Sequence, residues 1–71
     1  MKTFKGVVKK EEFMDDEFYF LDVQFQGCIY IDKNKFIDVY QYIDKEIEVE
    51  TIEWDYLRKG LDKYRVIGIK K

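Results

Sequence analysis

Tyr19–Ile31, YFLDVQFQGCIYI, is the stretch on which the reading of this chain turns. Its odd positions are Tyr19, Leu21, Val23, Phe25, Gly27, Ile29 and Ile31, apolar throughout apart from the glycine. Its even positions are Phe20, Asp22, Gln24, Gln26, Cys28 and Tyr30, polar through the middle. Alternation with period two marks a strand that buries one face. A helix would carry Asp22, Gln24 and Gln26 partly onto its buried side. Thirteen residues are too many for a flat strand in a small domain, and Gly27 offers a bend. The alternation stays in phase on both sides of Gly27, so the expectation is one long strand that curves there. The competing reading is a two-residue hairpin turn at Gln26–Gly27. That turn would set Gln24 opposite Ile29 and disturb the inner face.

Working outward, Thr3–Lys9 reads as a first strand with Phe4, Gly6 and Val8 on one face and Lys5, Val7 and Lys9 on the other. Lys10–Glu17 is mostly charged, and Asp15-Asp16 suits a turn. The acidic pair has no spaced set of further ligands around it, so a solvated turn is expected rather than a metal site. Asp32-Lys33-Asn34-Lys35 is a second turn. In Phe36–Ile43, residues Phe36, Val39, Tyr40 and Ile43 share one helical face, while the β-branched and aromatic content suits a strand. A short helix of about two turns, within residues 35–43 and capped by Asn34, is the expectation.

Glu46–Glu53 alternates cleanly, with Ile47, Val49 and Thr51 inward and Glu46, Glu48 and Glu50 outward. Three glutamates in a row on one face call for bases across the sheet, which Lys5, Lys9 or Arg65 would supply. A solvated row of this kind gives no split in pKa for acid–base chemistry. Asp55–Leu61 fits a helical turn or loop ending at Gly60, and Tyr64–Lys70 is a last strand with apolar residues on both faces.

The chain has 71 residues and reads as one domain, residues 1–71. A domain of this size buries only about 60% of its unfolded surface. Six Phe, six Tyr and one Trp help to fill such a core and leave a surplus that a binding face or dimer seam would use. The single cysteine, Cys28, forms no intrachain disulfide. Histidine is absent, which removes the usual zinc sets and the histidine-dependent nucleophile systems. No catalytic residue, metal ligand set or cofactor fingerprint is expected. No apolar run approaches the ~20 residues of a membrane span, and the N-terminal residues carry charges inside their apolar part. The expectation is a cytoplasmic protein with no membrane contact.

Net charge is −2, but it is unevenly spread. Residues 1–10 carry four lysines and no acid, residues 11–55 carry fourteen acids against three lysines, and residues 56–71 carry six bases against one acid. If the first and last strands lay side by side, a positive stripe would follow.

The order of elements predicts a mostly β protein, either a small curved sheet or a meander closed into a barrel. Together with YIDKEIEVE and KYRVIGIKK as late strands, it resembles OB-like or SH3-like barrels in pattern. Two functions are expected from this. The first is a non-enzymatic module that engages a protein partner or itself through Tyr40, Tyr42, Trp54, Tyr56 and Arg58. In one version the row Glu46, Glu48, Glu50 and Glu53 would meet a basic partner. The alternative is a single-stranded nucleic-acid surface of Lys5, Lys9, Phe20, Tyr30, Tyr64, Arg65 and Lys70, which the OB resemblance implies.

Overall fold

The computed structural model describes residues 1–70. They form five antiparallel strands: β1 (Lys2–Phe13), β2 (Asp16–Val23), β3 (Gly27–Ile31), β4 (Glu46–Glu53) and β5 (Tyr64–Lys70). Two single 3-10 turns, Val39–Tyr42 and Gly60–Lys63, complete the regular structure. The protein is therefore mostly β, as expected. The strand order is β3-β2-β1-β4-β5. Two hairpins join β1, β2 and β3, and β4 then returns to the free side of β1, which is a Greek key rather than the expected meander. The sheet curls until its edge strands β3 and β5 approach each other, but they form no ladder and the sheet stays open.

The strand that organises the sheet is β1. Its first half pairs with β4, from Lys2↔Thr51 to Val7↔Glu46, and its second half pairs with β2, from Val7↔Asp22 to Phe13↔Asp16. The two halves change partner beside Gly6, where β2 crosses so closely that a Cβ would overlap the carbonyl oxygen of Asp22. Glycine is required there because β2 leaves no room for a side chain. Beyond the sheet, β1 and β2 run on as a two-stranded ribbon whose tip is Met14-Asp15, both at positive φ (52° and 64°). That is the backbone of a two-residue primed hairpin turn.

The expectation of one curved strand over Tyr19–Ile31 is overturned. The chain reverses at Gln24–Gln26, and β2 pairs with β3 through Tyr19↔Ile31, Leu21↔Ile29 and Val23↔Gly27. A three-residue loop pairs odd positions with odd positions, so the alternation passes through the reversal without changing phase. The two-residue turn would have broken that phase. The Gln26 N–H donates to the Val23 carbonyl at 3.0 Å, with Phe25 at φ 66° and Gly27 at φ 129°. Phe25 is 99% exposed and packs on nothing that repays this conformation. We expect Phe25→Gly to raise stability by about 0.5–1 kcal/mol, the relief of left-handed strain less the added freedom of the unfolded chain. A higher urea midpoint checks it; an unchanged or lower midpoint contradicts it.

The expected helix over residues 35–43 shrinks to the 3-10 turn Val39–Tyr42. Asn34 does not cap it; instead Asn34 N–H donates to Asp32 Oδ1 at 2.9 Å and belongs to the preceding turn. Residues three apart share a face in this tighter geometry. Phe36, Val39 and Tyr42 accordingly meet the core, while Tyr40 turns to solvent. The segment is then tied to β1, with Asp44 N–H donating to the Val8 carbonyl at 2.7 Å and Val8 N–H to that of Lys45 at 3.1 Å.

The core lies inside the curl. Val8, Leu21, Ile31 and Val49 are fully buried, surrounded by Phe4, Tyr19, Ile29 and Val66. Ile47, Val49 and Thr51 point inward as read from the alternation. The buried Thr51 hydroxyl donates to the Lys2 carbonyl at 2.7 Å, so it carries no desolvation penalty. Between Glu50↔Gly68 and Thr51↔Val66 the register shifts, leaving Ile67 as the extra residue of a bulge. The bulge explains apolar residues on both faces of β5, since Val66 and Ile69 can both reach the core.

Candidate functional site

Where β3 and β5 approach each other, a groove of about 460 Å³ opens to solvent. Tyr30 comes from β3, Trp54, Arg58 and Asp62 from the β4–β5 connection, and Tyr64 and Arg65 from β5. Lys35, from the turn after β3, completes the basic side.

Asp55 shapes the loop that presents Trp54. Its Oδ1 accepts from Leu57 N–H at 3.1 Å, and its Oδ2 accepts from Arg58 Nε at 3.1 Å. Held this way, the Arg58 guanidinium lies 5.3 Å from the Trp54 ring centroid, a cation–π contact. Trp54 N–H donates to the Lys63 carbonyl at 2.9 Å, which fixes its backbone to the end of the 3-10 turn before β5. Trp54 remains 51% exposed as a whole residue.

A second hollow of about 310 Å³ lies on the outer face of β2 and β3 and shares Tyr30 and Asp62 with the groove. Its other lining residues are Glu11, Phe20 and Cys28. Phe20 faces Tyr30 directly across the β2–β3 ladder. Phe18 lies two residues earlier on the same face of β2. Aromatic surface therefore runs along β2, crosses to Tyr30 and continues into the groove at Trp54 and Tyr64.

The two ends of this surface differ in charge. The groove holds Lys35, Arg58 and Arg65 against Asp32 and Asp62. The hollow is lined by Glu11 and Asp62, with Asp22 on the neighbouring rung opposite Cys28, and, among the described residues, by no base; Lys9, across the ladder from Phe20, turns its ammonium to Asp44 at 3.1 Å. Burial pushes the Cys28 thiol above its ordinary range, and Asp22, Glu11 and Asp62 push it further in the same direction. The thiolate is the form that reacts with iodoacetamide. Alkylation of native protein should therefore reach half-maximal rate at a higher pH than in urea-unfolded chain, and Asp22→Asn should lower that midpoint. A native midpoint at or below the unfolded one would show that the carboxylates do not act on the thiol.

The residues singled out in the sequence scatter and regroup. Trp54 and Arg58, named for a protein interface, share one groove with Tyr30, Tyr64 and Arg65, named for nucleic acid. Phe20 lines the adjoining hollow. Tyr42 is half-buried against the core, Tyr40 is exposed beside its 3-10 turn, and Tyr56 is exposed in the loop. The proposed positive stripe does not form. β4 lies between β1 and β5, so its glutamates separate the two basic strands. Lys5 sits 4.0 Å from Glu46, Lys70 sits 3.6 Å from Glu48, and Lys9 sits 3.1 Å from Asp44. Of the bases expected to face the glutamates, Lys5 does so and Lys9 meets Asp44 instead; Lys70 takes the place foreseen for Arg65.

Sequence reasoning missed Glu11, Lys35 and Asp62 as members of the site. All three come from charged stretches where nothing local distinguishes one carboxylate or ammonium from the next. Cys28 was legible as an outward residue, because the alternation set it on the same face as Asp22 and Tyr30.

Among the described residues, no group of three His, Cys, Asp or Glu side chains is arranged to hold a metal ion. No helix among them is long and apolar enough to cross a membrane. No family model, curated protein or solved structure matches the chain.

Proposed function

We propose that this protein is a small non-enzymatic binding module that engages a protein partner through the aromatic groove between β3 and β5. One observation carries the reading: Tyr30, Trp54, Arg58, Tyr64 and Arg65, drawn from β3, β5 and the loop before it, converge on one groove. Tyr, Trp and Arg are the residue types that dominate the energetics of protein interfaces. Tyr30 is 57% exposed and Trp54 51%, so both rings have surface left to bury. A second copy of the chain belongs to the same reading as a partner. A cytoplasmic setting fits it as well, because an exposed free thiol such as Cys28 persists in a reducing compartment.

A second reading, a single-stranded nucleic-acid module, is favoured by Lys35, Arg58 and Arg65 beside stackable rings in that groove. The open five-stranded Greek key is OB-like, and OB barrels bind oligonucleotides on their strand 2–3 face. Against it, the β2–β3 face of this chain is lined by carboxylates, which repel phosphates.

Trp54 fluorescence and affinity capture test the two readings together. Capture of a protein by wild-type chain and its loss with Tyr30→Ala or Trp54→Ala, both still folded, is the expected result. Light scattering reports self-association in the same samples. A saturable, steeply salt-dependent response to oligo-dT, with capture unaffected by either substitution, would replace the protein-partner reading with the nucleic-acid one.

A further inference from the structure

We infer that the β2–β3 end of this surface receives a Lys- or Arg-bearing segment of the partner protein, its cations seated between Phe20, Tyr30 and the carboxylates Glu11, Asp22 and Asp62. The inference rests on the protein-partner reading above and names the chemistry of the partner.

Two observations meet at this place. The first is the unpartnered sheet face: Phe20 and Tyr30 stand opposite each other on the outer side of β2 and β3, with the hollow between them and Cys28. The second is what surrounds it. Among the described residues, most carboxylates elsewhere on the surface, though not Asp15 or Asp32, are matched by bases; Glu46, Glu48, Glu50 and Glu53 all have a lysine within 4.0 Å. Glu11, Asp22 and Asp62 enter no ion pair among the described residues. Yet all three converge on Cys28: Glu11 and Asp62 line the hollow with it, Asp22 stands across the ladder from it, and each pushes its thiol upward.

An aromatic face with unneutralised acids around it selects one kind of visitor. A cation gains from the negative faces of the rings and from the carboxylates together, and an anion gains from neither. A purely apolar segment would bury the carboxylates without pairing them, which costs free energy. A guanidinium or ammonium satisfies both. The row on β4 that looked in the sequence like a surface for a basic partner is already occupied by Lys5, Lys63 and Lys70. The unsatisfied acidic surface is this other one, which the sheet assembles from β1, β2 and the 3-10 turn before β5.

An Arg-Gly repeat peptide is the probe, titrated into full-length isotope-labelled chain at low salt. The expected result is saturable amide shifts centred on Glu11, Phe20, Cys28 and Tyr30. The triple variant E11Q/D22N/D62N should bind about tenfold more weakly, since each exposed ion pair contributes roughly twofold to threefold. Asp22→Asn alone should weaken binding measurably and guards against a triple variant that fails to fold. Shifts confined to the Glu46–Glu53 strand, equal binding by the folded variants, or the same shifts from a Glu-Gly peptide or oligo-dT would overturn the inference. It fails separately from the reading it rests on. If Tyr30→Ala and Trp54→Ala abolish partner capture while the charge variants leave it intact, the module stands and its basic ligand does not.

Discussion

Gly6→Ala is expected to cost about 3 kcal/mol or more, a large share of the stability of a domain this small. The added Cβ would overlap the Asp22 carbonyl oxygen, with the carbonyl carbon 2.9 Å away and Leu21 Cγ at 3.0 Å. A flexible side chain can rotate out of such a clash. A carbonyl in a strand cannot, because moving it breaks the β1–β2 ladder at Val7↔Asp22 and Val8↔Leu21. The site is also where β1 passes from one partner strand to the other, so the damage would spread to both halves of the sheet. Urea denaturation measures it. A midpoint within error of the wild type would mean that β2 can slide outward freely, and the account of β1 as the organising strand would fall. Gly68→Ala is the control: the nearest atoms to its Cβ lie at 3.9 Å, an ordinary contact distance.

Leu21→Ala should cost about 3–4 kcal/mol, and its neighbour Phe20→Ala about 1 kcal/mol or less. Leu21 is fully buried opposite Ile29 and among the largest side chains of the core. Removing three carbons there leaves a cavity that rigid strands on both sides cannot close. Phe20 has the larger side chain, yet it stands on the outer face with Tyr30 and loses only partial cover. The pair therefore reads out the facing of β2 directly. Thermal or urea unfolding of the two variants gives the comparison, and a larger loss for Phe20→Ala would mean that the faces are inverted. The same inversion would remove the proposed binding surface, because Phe20 and Tyr30 would then be core.

Facing was legible in the sequence wherever a strand keeps strict alternation. Tyr19, Leu21, Val23, Ile29 and Ile31 are buried, and so are Ile47, Val49 and Thr51. Period two is a local property of the backbone, and burial on one side imposes it residue by residue. Chain reversal between Val23 and Gly27 left no such mark. Its loop preserves parity, and its central left-handed position is held by Phe25, a residue with no preference for turns. The segment Phe36–Ile43 showed a spacing shared by an α-helix and a 3-10 turn; its tie to Val8 selected the shorter form.

By itself the sequence determined a small, aromatic-rich, mostly β protein and the inward or outward direction of most strand residues. Which strands lie side by side was decided by the tertiary structure alone. Placing β4 between β1 and β5 set lysines against glutamates and dissolved the positive stripe. Curling β3 toward β5 brought Tyr30 to Trp54, and gathered Glu11, Asp22 and Asp62 around one thiol. Alternation reports only whether a side chain faces the core. Pairing depends on contacts between residues far apart in the chain, and those contacts decide where charges cancel and where they remain for a partner.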